Sequence, residues 1–198
     1  MMTRARATAG LVAIAAAAVV LVVGVGLGGG GGQSSHRHAS GPFAWLHPAS
    51  PPTGWSVAPI AGGATMAYPP GWRQIKTDPG TASAALLGRG GRIDGYINAT
   101  PKQGTETLAN WSRFRPQHNL EEGDRSERLI ASARGLKFRG GRGSCVIDNY
   151  TTSKATYREI ACLVSGRPQA AVIVAAALVE LWSRHVATLR RAVSSFGT

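Results

Sequence analysis

Two short runs in the last third of the chain constrain its folding more than any other feature. Ser144 to Tyr150 and Tyr157 to Val164 are rich in apolar and β-branched residues, and a polar stretch, 151–156, separates them. They read as the arms of an antiparallel hairpin. If Tyr150 faces Tyr157, the pairing joins residues whose numbers sum to 307, which sets Cys145 opposite Cys162 and Ile147 opposite Ile160 on the same face. Facing residues in a non-hydrogen-bonded antiparallel pair approach closely enough for a cross-strand bridge. The chain has only these two cysteines, and an even count suits a disulfide in an exported protein. Two buried free thiols are the alternative. In the chain-entropy model, closing a loop of this size is worth roughly 3 kcal/mol.

The same register sets Asp148 opposite Glu159 on the other face. Like charges directly opposed cost stability unless a cation lies between them. Arg158 points to the cysteine face, opposite Asn149, so the cation is expected from a neighbouring strand, with Arg139 or Arg142 as candidates. Asp148 and Glu159, flanked by Tyr150 and Tyr157, form a candidate partner-facing patch. A structural ion-pair cluster and an acid/base carboxylate pair are the other readings.

Around the hairpin the pattern is that of more sheet and two helices. Met66 to Tyr68 reads as a strand stopped by Pro69-Pro70-Gly71, with Trp72 packing inward after the turn. Thr81 to Leu87 is a further strand. The segment 92–99 alternates Ile93, Gly95 and Ile97 against Asp94, Tyr96 and Asn98, as a half-buried strand does. Thr105 is positioned to cap a helix running to about Arg115, with Leu108, Trp111 and Arg115 on one face and Pro116 at its end. Glu121-Glu122-Gly123-Asp124 reads as an acidic loop, 128–133 and 136–139 as two strands, and 140–143 as a turn. Gln169 to Ala177 is almost unbroken in apolar character, as befits a central strand buried on both faces. A closing helix is predicted from about Glu180 to Phe196, with Trp182, Val186, Leu189, Val193 and Phe196 as its apolar seam. The order implies an α+β fold: an antiparallel sheet with helices packed on it.

The N-terminal part reads differently. Arg4 and Arg6 precede an uncharged apolar stretch, 7–27, whose roughly 31 Å as a helix matches a hydrocarbon core. The charge asymmetry puts residues 1–6 in the cytoplasm as a basic tail and everything after the span outside. A cleaved signal peptide also begins this way, but no clean Ala-x-Ala site follows. The expectation is a single-pass anchor at the cell membrane, or a secreted protein if the segment is removed. No cysteine follows the run, so a bacterial lipoprotein anchor is excluded. Residues 28–59 read as a flexible Gly/Pro-rich tether, with Trp45 and Trp55 either at the membrane interface or docked on the domain, and 60–198 as the extracytoplasmic domain. His36 and His38 have chelate spacing but no further ligand near them.

The net charge is +12, and without Arg4, Arg6 and Arg37 the domain keeps about +9. A basic surface favours an anionic envelope polymer or headgroups. A GC-rich genome would produce the same arginine bias. The basic residues are scattered rather than clustered, so no nucleic acid is expected.

The chain resembles the Mog1/PsbP-like fold, and within it small actinobacterial membrane or secreted proteins of unassigned function. The resemblance covers roughly 60–198. It rests on Tyr68-Pro69-Pro70-Gly71-Trp72, on Gly95-Tyr96-Ile97-Asn98-Ala99-Thr100-Pro101, on Gly143-Ser144-Cys145-Val146-Ile147-Asp148-Asn149-Tyr150, and on Tyr157-Arg158-Glu159-Ile160-Ala161-Cys162. Photosynthetic relatives assist a manganese–calcium centre and nuclear ones bind a small GTPase. No residues here carry either role over, and both precedents are binding or assembly roles.

No set of residues points to catalysis. Ser144 lacks the Gly-x-Ser-x-Gly elbow. Glu121, Glu122 and Asp124 lack the longer calcium-loop pattern. The glycine pattern 26–31 lacks a strand–turn–helix setting. No catalytic residue, metal or cofactor is therefore assigned. The expectation is a membrane-tethered, non-catalytic binding or assembly domain acting on a cell-envelope partner. A carrier of a lipid or small apolar ligand is the alternative, which a buried apolar pocket between sheet and helices would favour, and an envelope hydrolase is the third reading.

Overall fold

A computed structural model describes residues 41–198. The apolar segment, the histidines at 36 and 38 and the first part of the expected tether lie outside the described residues. Among the described residues no helix is long and apolar enough to cross a membrane.

Nine strands and two helices follow one another as β1 (Ser56–Pro59), β2 (Thr65–Tyr68), β3 (Arg73–Gln74), β4 (Ala82–Leu87), β5 (Ile93–Pro101), α1 (Trp111–Glu121), β6 (Arg125–Phe138), β7 (Gly141–Thr151), β8 (Thr156–Ser165), β9 (Ala171–Leu178) and α2 (Trp182–Ser194). β1 and β2 form a small hairpin, and the other seven strands make one sheet in the order β3-β4-β5-β9-β8-β7-β6. Every neighbouring pair in it is antiparallel. The predicted α+β class is the observed one.

The hairpin register is the one read from the loop: Tyr150 pairs with Tyr157, Ile147 with Ile160 and Cys145 with Cys162. The cysteines are bonded to each other and fully buried. β9 is the central strand, and all eight of its residues are buried. One face of the sheet carries Cys145, Ile160, Cys162, Ile173 and Ala175, and Leu189, Val193 and Phe196 from the α2 region join them in the main core. Burying each large apolar side chain of that set contributes about 1.5–3 kcal/mol. The opposite face carries Val146, Ala161, Leu163, Val172 and Val174 beneath Trp111.

Three expectations need correction. Residues 41–59 are not tether. Phe43, Leu46 and Ala58 are buried in the main core, Trp45 and Trp55 pack against it, and Ala49 N–H donates to Ser194 O at 2.9 Å. The Arg190 guanidinium lies 5.3 Å from the Trp45 ring centre. A few large apolar anchors spaced among Gly, Pro and Ser suffice to dock the segment, although its average composition reads as linker.

Helix α1 begins and ends later than expected. Thr107 and Asn110 form a reciprocal cap: Thr107 Oγ1 accepts from Asn110 N–H at 3.1 Å, and Asn110 Oδ1 accepts from Thr107 N–H at 2.7 Å. The pair closes the turn just before the helix, and Asn110, not Thr105, stands at the helix start. Pro116 lies inside the helix. Its missing N–H removes one internal hydrogen bond, and the helix continues past it with Trp111 buried on the sheet. The third correction is β6. The two strands expected at 128–133 and 136–139 are one edge strand of 14 residues with three register shifts. Bulges and the outward charges Arg128, Arg134 and Lys137 are the usual protection of such an edge.

Candidate functional site

α1 is the crossover from β5 to β6. It sits over β6 and β7 and buries Trp111, whose indole N–H donates to Ala161 O at 2.9 Å. From that anchor, the spacing of four brings Arg115 down onto the sheet. Arg115 holds Glu159 with two parallel bonds, Nε to Oε1 at 2.7 Å and Nη2 to Oε2 at 2.9 Å. Such a bidentate pair is the strong form of the ion pair. Its carboxylate is wholly buried and its guanidinium nearly so.

The expected opposition of Asp148 and Glu159 is present, but the cation is Arg115, not Arg139 or Arg142. Arg142 pairs with Ser165 near the far end of β7, six residues and about 20 Å from Asp148. Arg139 lies beside Gly197 and Thr198 at that same end. Neither oxygen of Asp148 has a hydrogen-bond partner. Burial, and then the Glu159 charge, pushes its carboxyl up to about 9 from the usual 3.8, so it is a neutral acid at pH 7. The like-charge clash is therefore removed twice, by a guanidinium on one carboxylate and a proton on the other. Arg158 behaves as expected: it accepts no role here, donating instead to Asn149 Oδ1 at 2.9 Å and lying over Trp182.

The partner-facing patch does not reach the surface. Asp148, Glu159, Tyr150 and Tyr157 share a sheet face, but all four are buried. The Tyr150 and Tyr96 hydroxyls are hydrogen-bonded to each other, and the Tyr157 hydroxyl donates to Ile93 O at 2.8 Å. Burial raises all three phenol pKa values. Register placed these side chains together correctly. It carried no information about a helix laid across them.

The accessible feature lies next door, where α1 leaves part of the same face open. Here a cleft of about 760 Å³ is floored by Ser83 of β4, Tyr96, Asn98 and Thr100 of β5, and Val172 and Val174 of β9. Asn98 Nδ2 donates to Ser83 Oγ at 2.6 Å. One wall is a column of stacked rings on α1: Trp111 to Phe114 at 6.0 Å, and Phe114 to His118 at 5.6 Å. The other walls come from Thr77, Asp78 and Thr81 before β4 and from the loop Gln103–Glu106. Glu106 is 5% exposed; its Oε1 accepts from Gln103 N–H at 3.0 Å, and its Oε2 has no partner. These residues went unassigned from sequence. Asn98 and Thr100 stood in the segments quoted for the resemblance, but nothing in a linear pattern shows that a helix stops short of them.

The acidic segment 121–124 forms the end of α1 and the turn after it. His118 Nε2 lies 3.2 Å from Glu122 Oε1. Among the described residues no group of three His, Cys, Asp or Glu is placed to hold a metal.

No protein-family model matches the sequence, and no curated protein is similar to it. Solved structures do match. The solution structure of cyanobacterial PsbP (CyanoP) from Synechocystis sp. PCC 6803 superposes with a TM-score of 0.53 at 16% identity, over 74% of this chain and 94% of that one. LpqN of Mycobacterium tuberculosis, described as involved in cell envelope biogenesis, matches with a TM-score of 0.40 at 12% identity, over 72% and 90%. A Pseudomonas aeruginosa protein of unknown function, PA94, matches at 0.41 and 10%, over 71% and 94%. The likeness to CyanoP, together with the antiparallel sheet and two helices, gives this chain a PsbP-like α+β fold.

Proposed function

We propose that this chain is an extracytoplasmic, non-catalytic binding domain, held at the membrane by its N-terminal apolar segment, that takes a cell-envelope partner or ligand in the cleft beside α1. The half-open cleft carries the reading. It combines an apolar ring wall with convergent carboxylate, amide and hydroxyl groups, the usual make-up of a binding site. The buried Cys145–Cys162 bond supports an oxidising compartment. A lipid carrier fits less well, because the cleft opens to solvent and its floor presents Ser83, Asn98 and Thr100. The charge cluster under α1 serves the fold: its carboxylates are sealed from any substrate.

Site-specific photocrosslinking in living cells tests this. A photoreactive residue replaces Gln103, exposed at the cleft rim, or Arg184, exposed on α2. The expected result is a defined envelope adduct from position 103 and none from 184. Equal yields, or no adduct at 103, would remove the cleft as the binding surface. The mass of the mature N-terminus separates an anchor from a cleaved signal.

A further inference from the structure

The cleft does not share the charge of the molecule. In a chain of net charge +12, three carboxylates line it: Asp78, Glu106 and Glu122. Its two basic residues are already engaged, Arg115 by Glu159 and His118 by Glu122. Glu106 is the unusual member. Burying a carboxylate oxygen without a donor is costly, yet Oε2 is left so. The cation nearest in sequence, Lys102, donates to the Gly104 carbonyl instead.

Gly104 lies beside that oxygen. Its backbone is not in the left-handed region, so its conformation does not require glycine. A Cβ there would lie 2.8 Å from Glu106 Oε2 and 3.8 Å from Phe114 Cζ. Any side chain at 104 would crowd that oxygen, and the same point lies against the Phe114 ring, so the carboxylate and the ring flank one backbone position. A carboxylate beside an aromatic ring favours a cation with N–H donors: the ring attracts the charge and the carboxylate accepts the hydrogen bond. An anion is repelled, and a neutral hydroxyl gains only the hydrogen bond.

We infer that the cleft recognises an organic ammonium group, its charge met by the carboxylates that line the cleft and its apolar body set against Phe114 and the ring column of α1. This rests on the cleft being the binding site and names the chemical class bound there. Asp78 and Glu122 add long-range attraction at the rim.

The test is ligand-observed NMR on the full chain in detergent micelles, with benzylamine, benzyl alcohol and benzoate as matched probes at pH 7. Benzylamine is expected to bind at least about tenfold more tightly than benzyl alcohol, with no detectable binding of benzoate. Glu106→Gln and Gly104→Ala should each weaken benzylamine about tenfold or more. Comparing probes on the unaltered chain requires no variant to fold, and a thermal melt checks that each variant does. Equal binding of amine and alcohol, or benzylamine binding that survives both substitutions, overturns the ammonium assignment, as does no binding of benzylamine at all. In each of those cases an adduct at position 103 would still uphold the cleft as a binding surface, so the two readings fail separately.

Discussion

Asp148 is held in a state that its own chemistry opposes. Its carboxyl is pushed up to about 9 by burial and by Glu159. Between pH 4 and pH 9 the unfolded chain therefore releases a proton that the folded chain keeps, and stability falls as pH rises through that window. Asp148→Asn has nothing to ionise. It should raise stability at pH 7 and flatten the decline toward pH 9, as measured by denaturant titration across that range. A variant as pH-sensitive as the parent would mean that another group carries the effect. This residue also shows how far the sequence could be read. Parity along two strands was enough to oppose Asp148 and Glu159, because side-chain direction alternates strictly in a ladder. The cation was out of reach, because Arg115 lies 44 residues before Glu159 and arrives through the path of a helix rather than the repeat of a strand. The same limit hid Glu106, whose significance lies in Gly104 and Phe114 together.

At the scale of elements, strands were legible where period and loop length agreed, and helices where apolar spacing was regular. β7, β8, β9 and α2 satisfy those conditions. α1 does not, because its sheet-facing side holds a tryptophan, an arginine and a buried asparagine instead of an apolar stripe. Pro116 then reads as a terminator, though the helix continues for five residues past it. That position should be costly. Pro116→Ala restores one backbone donor, less a small entropic loss in the unfolded chain, so the expected gain is about 1 kcal/mol. A rise in Tm of a few degrees would show it, and a fall would mean that the proline ring packs better than it disrupts. β6 was divided in two because bulges break the alternation on which strand reading depends.

For the molecule as a whole, the disulfide joins two adjacent strands in the middle of the main core rather than two distant segments. Removing it in Cys145→Ala/Cys162→Ala should cost about 3 kcal/mol in the chain-entropy model, seen as a lower denaturation midpoint without loss of the folded baseline. Thiol reagents should not reach the reduced native protein until it opens, since both residues are fully buried. The layered α+β class was legible from the order of elements. The cleft was not, because it is the area α1 fails to cover, and an omission has no pattern in sequence.

The order of the sheet has one more consequence. β9 follows every other strand in the chain yet lies between β5 and β8. Until it arrives, β3–β5 and β6–β8 are two half-sheets with no ladder bonds between them. β9 is therefore the keystone of the sheet: the edges of β5 and β8 that it covers stay open until the last strand of the chain is in place.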